Sequence, residues 1–158
     1  MWMKKKLLFV CMGNICRSPS AEAVMNECIN MHQLSDEFEC DSAGTGGWHI
    51  GDKADTRMRK HALLRNYNLT SIARQFDATN DFDKFNLIFG MDQQNVNDIK
   101  ALARNKSDLD KVKLITSYCT RYSNYNSVPD PYYGGDDGFE LVLDIIEDAC
   151  EGLLKDMK

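Results

Sequence analysis

Short apolar runs alternate along the chain with longer stretches of helical period. Residues 6–11, ending in Leu7-Leu8-Phe9-Val10-Cys11, form a continuous apolar run, the pattern of a strand buried on both faces of a parallel sheet. After a short polar loop, Ser18-Pro19 reads as an N-cap followed by proline at the first helical position, and Ala21, Val24, Met25, Cys28 and His32 recur at helical spacing. Residues 39–43 predict a second strand that ends in Gly44-Thr45-Gly46-Gly47, and residues 55–67 a helix. A third strand is expected over 85–91, with Asp92 capping the helix after it, and a short fourth over 112–115. Phe139, Val142, Leu143, Ile146, Ala149, Cys150 and Leu153 then make one apolar stripe on a last helix, entered through an Asp136-Asp137-Gly138 turn.

Strands alternating with helices predict a three-layer α/β domain with a mainly parallel sheet. Ligands of such sheets bind outside the carboxyl ends of the strands, so the loop after the first strand is the first place to look for chemistry. The length of 158 residues fits one domain spanning 1–158, able to bury about 70% of its unfolded surface without staples. Hydrophobic residues at 43% and charged residues at 27% are those of an ordinary globular chain. A net charge of −5 argues against broad binding to nucleic acid or anionic membrane, while leaving room for a small anion held by local groups. The six cysteines are scattered without a framework spacing, and the apolar run behind Lys4-Lys5-Lys6 is too short for a signal peptide, so a cytoplasmic chain with reduced thiols is expected.

The loop reads Cys11-Met12-Gly13-Asn14-Ile15-Cys16-Arg17, with Ser18-Pro19 behind it. Backbone N–H groups of a tight loop and of a helix N-terminus together form an anion site. Gly13 and Asn14 are residue types that tolerate a left-handed backbone. Arg17 can grip phosphate oxygens with two parallel hydrogen bonds. The helix terminus and arginine should lower the pKa of Cys11, and Ser18 can donate its hydroxyl to the thiolate. An activated sulfur inside an oxyanion cradle suits phosphoryl transfer through a cysteinyl-phosphate. Cys-x₅-Arg alone arises readily by chance among six cysteines; its placement between a buried strand and a helix start is what gives it weight.

Such a transfer needs an acid for the departing oxygen. Asp130-Pro131-Tyr132-Tyr133-Gly134-Gly135 supplies one, since proline fixes the residue before it in an extended conformation and the aromatics can wall a slot for a flat ring. Read alone, the segment is also compatible with a surface turn carrying incidental aromatics.

Taken together, residues 11–19 and Asp130-Pro131-Tyr132-Tyr133 resemble the low-molecular-weight protein tyrosine phosphatases, and the similarity extends over essentially the whole chain. The resemblance implies a flavodoxin-like sheet of four parallel strands flanked by helices, and metal-free, cofactor-free hydrolysis of phosphotyrosine and small aryl phosphates, with acid phosphatase activity. It implies Cys11 as nucleophile, Arg17 as phosphate clamp and Asp130 as general acid and then base. Met12, Gly13, Asn14, Ile15, Cys16, Arg17 and Ser18 would bind phosphate, Asn14 holding the loop shape and Ser18 stabilising the thiolate. Trp48, His49, Tyr132 and Tyr133 would line the substrate slot. Cys16 resembles the residue that pairs with Cys11 in a reversible protective disulfide. The implied partners are tyrosine-phosphorylated proteins and oxyanion inhibitors, with the chain a monomer or weak dimer. Relatives that hydrolyse phosphoarginine resemble this loop with threonine at the position of Ile15, which favours phosphotyrosine here.

Competing readings are weaker. A thiol-relay arsenate reductase needs further cysteines past mid-chain, and none lies between Cys40 and Cys119. A phosphocysteine carrier of sugar transport would not need Arg17 or Asp130, and a catalytically dead binding module would be expected to have lost Cys11 or Asp130. His32, His49 and His61 lack metal-ligand spacing. Cys28, Cys40, Cys119 and Cys150 read as buried small residues, Asp81 and Asp83 as the start of a helix after Thr79-Asn80, and residues 144–148 as a solvated acidic face.

Overall fold

In the computed structural model, which describes residues 3–132 and 134–158, the first apolar run forms β1 (Lys5–Cys11), at the centre of the sheet. It pairs in parallel with β2 (Phe38–Gly44) on one side and β3 (Leu87–Gly90) on the other, and β4 (Val112–Leu114) continues from β3. The order β2-β1-β3-β4 is that of a flavodoxin-like fold. The helices are α1 (Arg17–Met31), α2 (Thr56–Leu63), α3 (Ala78–Lys84), α4 (Gln93–Ala101), α5 (Lys106–Lys111) and α6 (Asp136–Met157).

Alternation along β1 builds both halves of the core. Leu7, Phe9 and Cys11 point into a cluster with Val24, Met25 and Ile29 of α1, Met58 of α2 and Phe139, Val142, Ile146 and Leu153 of α6. Leu8 and Val10 point the other way, onto Phe82 and Phe85 beside α3, Val96 and Ile99 of α4 and Val112 of β4. A strand buried on both faces accounts for the unbroken apolar run. Its carboxyl end, next to the β1/β3 reversal of strand order, is where Cys11 emerges.

Several boundaries differ from expectation. The first helix begins at Arg17, two residues before Pro19, and its N-cap is Cys16, whose side chain makes no capping bond. Ser18 is inside the first turn, where its hydroxyl is free to turn towards Cys11. The second helix ends at Leu63, well short of residue 67, because Asn66 adopts φ 68° and reverses the chain. Asp77, rather than the 79–80 pair, caps α3 by accepting from Thr79 N, so Asp81 and Asp83 lie within the helix and pair with Arg74 and Arg104. Phe85 falls outside β3, and Ile115 opens a 3₁₀ turn after β4. Asp136, Asp137 and Gly138 form the first turn of α6, where acidic side chains suit the positive end of the helix dipole.

The acidic face over 144–148 is not uniformly solvated. Asp148 is 1% exposed and accepts from Thr120 N, Arg121 N and Tyr122 N and from the Thr120 hydroxyl. It ties the segment after β4 to α6. Burial alone would raise its pKa, yet the Tyr122 and Thr120 N–H groups and their neighbours outweigh that and hold it below the ordinary carboxylate value. Asp144 and Glu147 both pair with Arg65 beyond α2.

Candidate active site

The turn from β1 into α1 wraps around the Cys11 sulfur. Asn14 N–H donates to Cys11 Sγ at 3.3 Å, and Ser18 Oγ lies 3.0 Å from the same sulfur. One backbone donor and one hydroxyl therefore face Sγ from inside the loop, the hydroxyl also lying 3.4 Å from Ala43 O. Asn14, at φ 57°, is the left-handed residue of the turn; Gly13, expected to share that role, has no positive φ among the described residues. At Gly13 the constraint is space, since a Cβ there would meet the His49 ring at 3.1 Å.

The Asn14 side chain fixes the loop from behind. Its Nδ2 donates to Ser18 Oγ at 2.8 Å and to Ser42 Oγ at 3.0 Å, while its Oδ1 accepts from Arg74 N at 3.0 Å. Ser42 in turn donates to Glu22 Oε1 at 2.6 Å. Burial, opposed by the Ser42 hydrogen bond and reinforced by Asp41, pushes the Glu22 pKa up to about 7. Gly44 completes the arrangement by close approach: a Cβ there would sit 2.8 Å from Met12 O.

Arg17 is 4% exposed and reaches across the floor of the site. Its Nη1 donates to Asp92 Oδ2 at 2.7 Å and to Val128 O at 3.0 Å, and its Nη2 is 3.8 Å from Asp130 Oδ2. Burial would lower the pKa of the guanidinium, but the Cys11 sulfur, Asp92 and Asp130 more than offset it, so the group is firmly cationic. Asp130 Oδ1 accepts from Tyr132 N at 3.0 Å, a local turn that aims its other oxygen at Arg17.

These groups face one cavity of about 330 Å³. Cys11, Met12, Gly13, Ile15, Cys16, Arg17, Trp48, His49, Asp130 and Tyr132 all line it. Asn14 and Ser18 stand behind the loop as its scaffold, and Tyr133 lies outside the described residues. Trp48 and His49 come from the segment after β2, Tyr132 from the segment before α6, and the His49 and Tyr132 rings stand 6.5 Å apart across the mouth. An apolar wall over a cationic floor fits an aryl group attached to an anion.

The sequence model of the low molecular weight phosphotyrosine protein phosphatases matches residues 6–158. The chain belongs to that family. It is a family of phosphoric monoester hydrolases, and the chain is an enzyme of that class. A putative low molecular weight protein-tyrosine-phosphatase of Synechocystis sp. is 48% identical over 149 residues, 94% of each chain. A solved protein tyrosine phosphatase of Entamoeba histolytica, holding Hepes in its active site, matches this phosphatase fold with a TM-score of 0.94 at 45% identity, over 98% of this chain and 97% of that one. A Drosophila protein described as an arginine phosphatase matches at 0.89 and 31% identity, over 99% of this chain and 98% of its own.

Four residues of this phosphatase site were not legible as site residues. Asp92 is the helix cap its sequence suggests, accepting from Asn95 N, and its second oxygen also holds Arg17. Ser42 and Glu22 stand behind the loop without motif spacing, Ser42 brought there by the parallel pairing of β1 and β2 and Glu22 from α1 by its hydrogen bond with Ser42. Arg57, at the start of α2, donates to the carbonyl of Tyr132. Only Asp92 left a usable signal, at the carboxyl end of a buried strand. Of the remaining cysteines, all expected to be buried, only Cys150 is; Cys28, Cys40 and Cys119 are half-buried. Burial raises Cys28 to about 11 and Cys119 to about 12, and pushes Cys40 and Cys150 higher still. No helix among the described residues is long and apolar enough to cross a membrane.

Proposed function

We propose that the chain hydrolyses phosphotyrosine in proteins, and small aryl phosphates, through a cysteinyl-phosphate intermediate. The observation that carries this reading is that Cys11 Sγ, the Arg17 guanidinium and the Asp130 carboxyl face one cavity, with the Asn14 N–H directed at the sulfur and the Ser18 hydroxyl in contact with it. The phosphoryl group sits in the loop, its non-bridging oxygens on backbone N–H groups of residues 12–17 and on Arg17. The Cys11 thiolate attacks phosphorus opposite the phenolic oxygen. The S–P bond forms as the P–O bond breaks, and the Asp130 carboxylic acid passes its proton to the departing oxygen. Asp130, now a carboxylate, takes a proton from water, whose oxygen attacks phosphorus. The S–P bond breaks, inorganic phosphate leaves, and the thiolate is restored.

Asp92 positions Arg17, and Trp48, His49 and Tyr132 hold the ring. Acid phosphatase activity on small aryl phosphates belongs to the same reading. Cys16, a free thiol lining the same cavity, is the candidate partner for Cys11 on oxidation.

Ile15 offers no hydroxyl to the bound group, which supports phosphotyrosine over the phosphoarginine implied by the name of the Drosophila relative. Matched peptides carrying phosphotyrosine or phosphoarginine test this. A kcat/KM ratio of roughly a hundredfold or more favouring phosphotyrosine is the expected result. Equal rates would overturn the assignment of substrate.

A further inference from the structure

A second concavity, of about 490 Å³, is lined by Lys53, shortly after the segment that walls the active site, and by residues of α2 and of 68–72. Its rim carries Lys53 before α2, and Arg59 and Lys60 within α2, facing the chain at Thr70, Ser71 and Ile72. Not one of its lining residues is a carboxylate. Elsewhere this chain is acidic, with 24 Asp and Glu against 19 Lys and Arg, and most of its arginines are engaged by carboxylates. Among the described residues, Lys53, Arg59 and Lys60 form no ion pair. Arg59 is instead held at the rim by its own backbone neighbourhood, donating from Nε to Ala54 O at 3.0 Å and from Nη2 to Thr56 Oγ1 at 3.3 Å. Three cations lining one concavity with no carboxylate among its lining residues give it a positive potential, which suits an acidic ligand.

The groove and the active site draw on one stretch of chain. Trp48 and His49 line the catalytic cavity, and Lys53 lines the groove four residues later, at most about 14 Å along an extended chain. That stretch is pinned to the opposite side of the groove by Gly51 N–H to Ala73 O, Ala73 N–H to Asp52 O and the antiparallel bridge between Lys53 and Ile72. A peptide chain extending from the cavity wall at His49 covers a span of about 14 Å in about three to five residues, at roughly 3.3 Å each.

Resting on the phosphotyrosine reading of the site, we propose that this groove binds acidic side chains flanking the phosphotyrosine, so that the preferred substrates are phosphoproteins with Asp or Glu three to five residues from the modified tyrosine. The attraction sets the encounter rate and KM; the chemical step at Cys11 is untouched.

The test compares three substrates at low salt: p-nitrophenyl phosphate, a phosphotyrosyl peptide with neutral flanks, and the same peptide with glutamates at the flanking positions. The wild type should prefer the acidic peptide. In Lys53→Glu/Lys60→Glu, kcat/KM for that peptide should fall roughly tenfold, mostly in KM, since two exposed pairs are lost and reversal adds repulsion. The neutral peptide and p-nitrophenyl phosphate should be unaffected, and the wild-type preference should shrink as salt rises towards 0.5 M. A wild type that treats both peptides alike, or a variant that loses both equally, overturns the groove while leaving the phosphatase reading in place. A folded wild type that turns over none of the three overturns the phosphatase reading, and the groove proposal falls with it.

Discussion

Arg57 donates from Nη2 to the backbone oxygen of Tyr132 at 2.9 Å. The same guanidinium lies 4.9 Å from the Phe139 ring centroid and 5.6 Å from that of Tyr132, and its other contacts are with Asp55, the N-cap of α2. Asp55 N–H in turn donates to Ile15 O in the loop that holds Cys11. One side chain thus links the Asp130 segment to the nucleophile loop, two pieces of chain more than a hundred residues apart.

If that link positions the acid, Arg57→Ala and Asp130→Ala should share a signature. Asp130→Ala should slow poor leaving groups such as phenyl phosphate by roughly 10²–10³-fold, and p-nitrophenyl phosphate, whose phenolate needs less protonation, much less. Arg57→Ala should show the same asymmetry at about tenfold, because a loosened acid still reaches the oxygen part of the time. An equal loss on both substrates would deny Asp130 its proton and Arg57 its positioning role.

Glu22 gives a stability test. Its folded pKa is raised from 4.5 to about 7, chiefly by burial, so between those values the folded chain keeps a proton that the unfolded chain has released. Wild-type stability should therefore fall as pH rises through that window. Glu22→Gln keeps the Ser42 contact without the charge, and thermal unfolding should find it equal to wild type near pH 4 and more stable above pH 7, by on the order of 2–3 kcal/mol. A gap that does not change with pH would contradict the assignment.

Asp148 has the opposite sign. Its folded pKa lies below its unfolded value, so its contribution is present at neutral pH and is lost as pH falls below about 4. Asp148→Asn should cost roughly 2–4 kcal/mol in urea unfolding at pH 7, because an amide turns a donor towards the N–H groups of residues 120–122. The deficit should narrow in acid; a deficit independent of pH would point to packing instead.

The two cysteines of the loop predict a redox response. Peroxide oxidises the Cys11 thiolate to a sulfenic acid, and the Cys16 thiol then displaces water to close a disulfide. Burial, followed by Asp55 and Cys11, holds Cys16 well above the ordinary thiol range, so closure should speed up as pH rises. Mass spectrometry should find the Cys11–Cys16 bridge and dithiothreitol should restore activity. Cys11 oxidised alone would rule this out.

What the sequence revealed follows from how local each signal was. The strand at 7–11 and the stripe on α6 are patterns of apolar spacing, and both appear where expected. Cys11, Arg17 and Asp130 were legible because each sits in a short motif whose neighbours constrain the backbone. Ser18 is not the cap its Ser-Pro pairing suggested, but its expected contact with the sulfur seven residues earlier is present. Glu22, Ser42 and Arg57 gave no signal, since they act through pairing between distant segments. Residues 144–148 looked like a charged surface because composition does not say which carboxylate of a helix meets the N–H groups of another segment.

The most direct measurement of the central claim is hydrolysis of p-nitrophenyl phosphate in EDTA and dithiothreitol by wild type and Cys11→Ser, with inorganic phosphate binding followed in both. The account predicts turnover that survives the chelator, falls by roughly 10³-fold or more in the variant, and leaves phosphate binding there intact, because the amides of the loop and Arg17 remain. Turnover retained in a folded Cys11→Ser protein would contradict it.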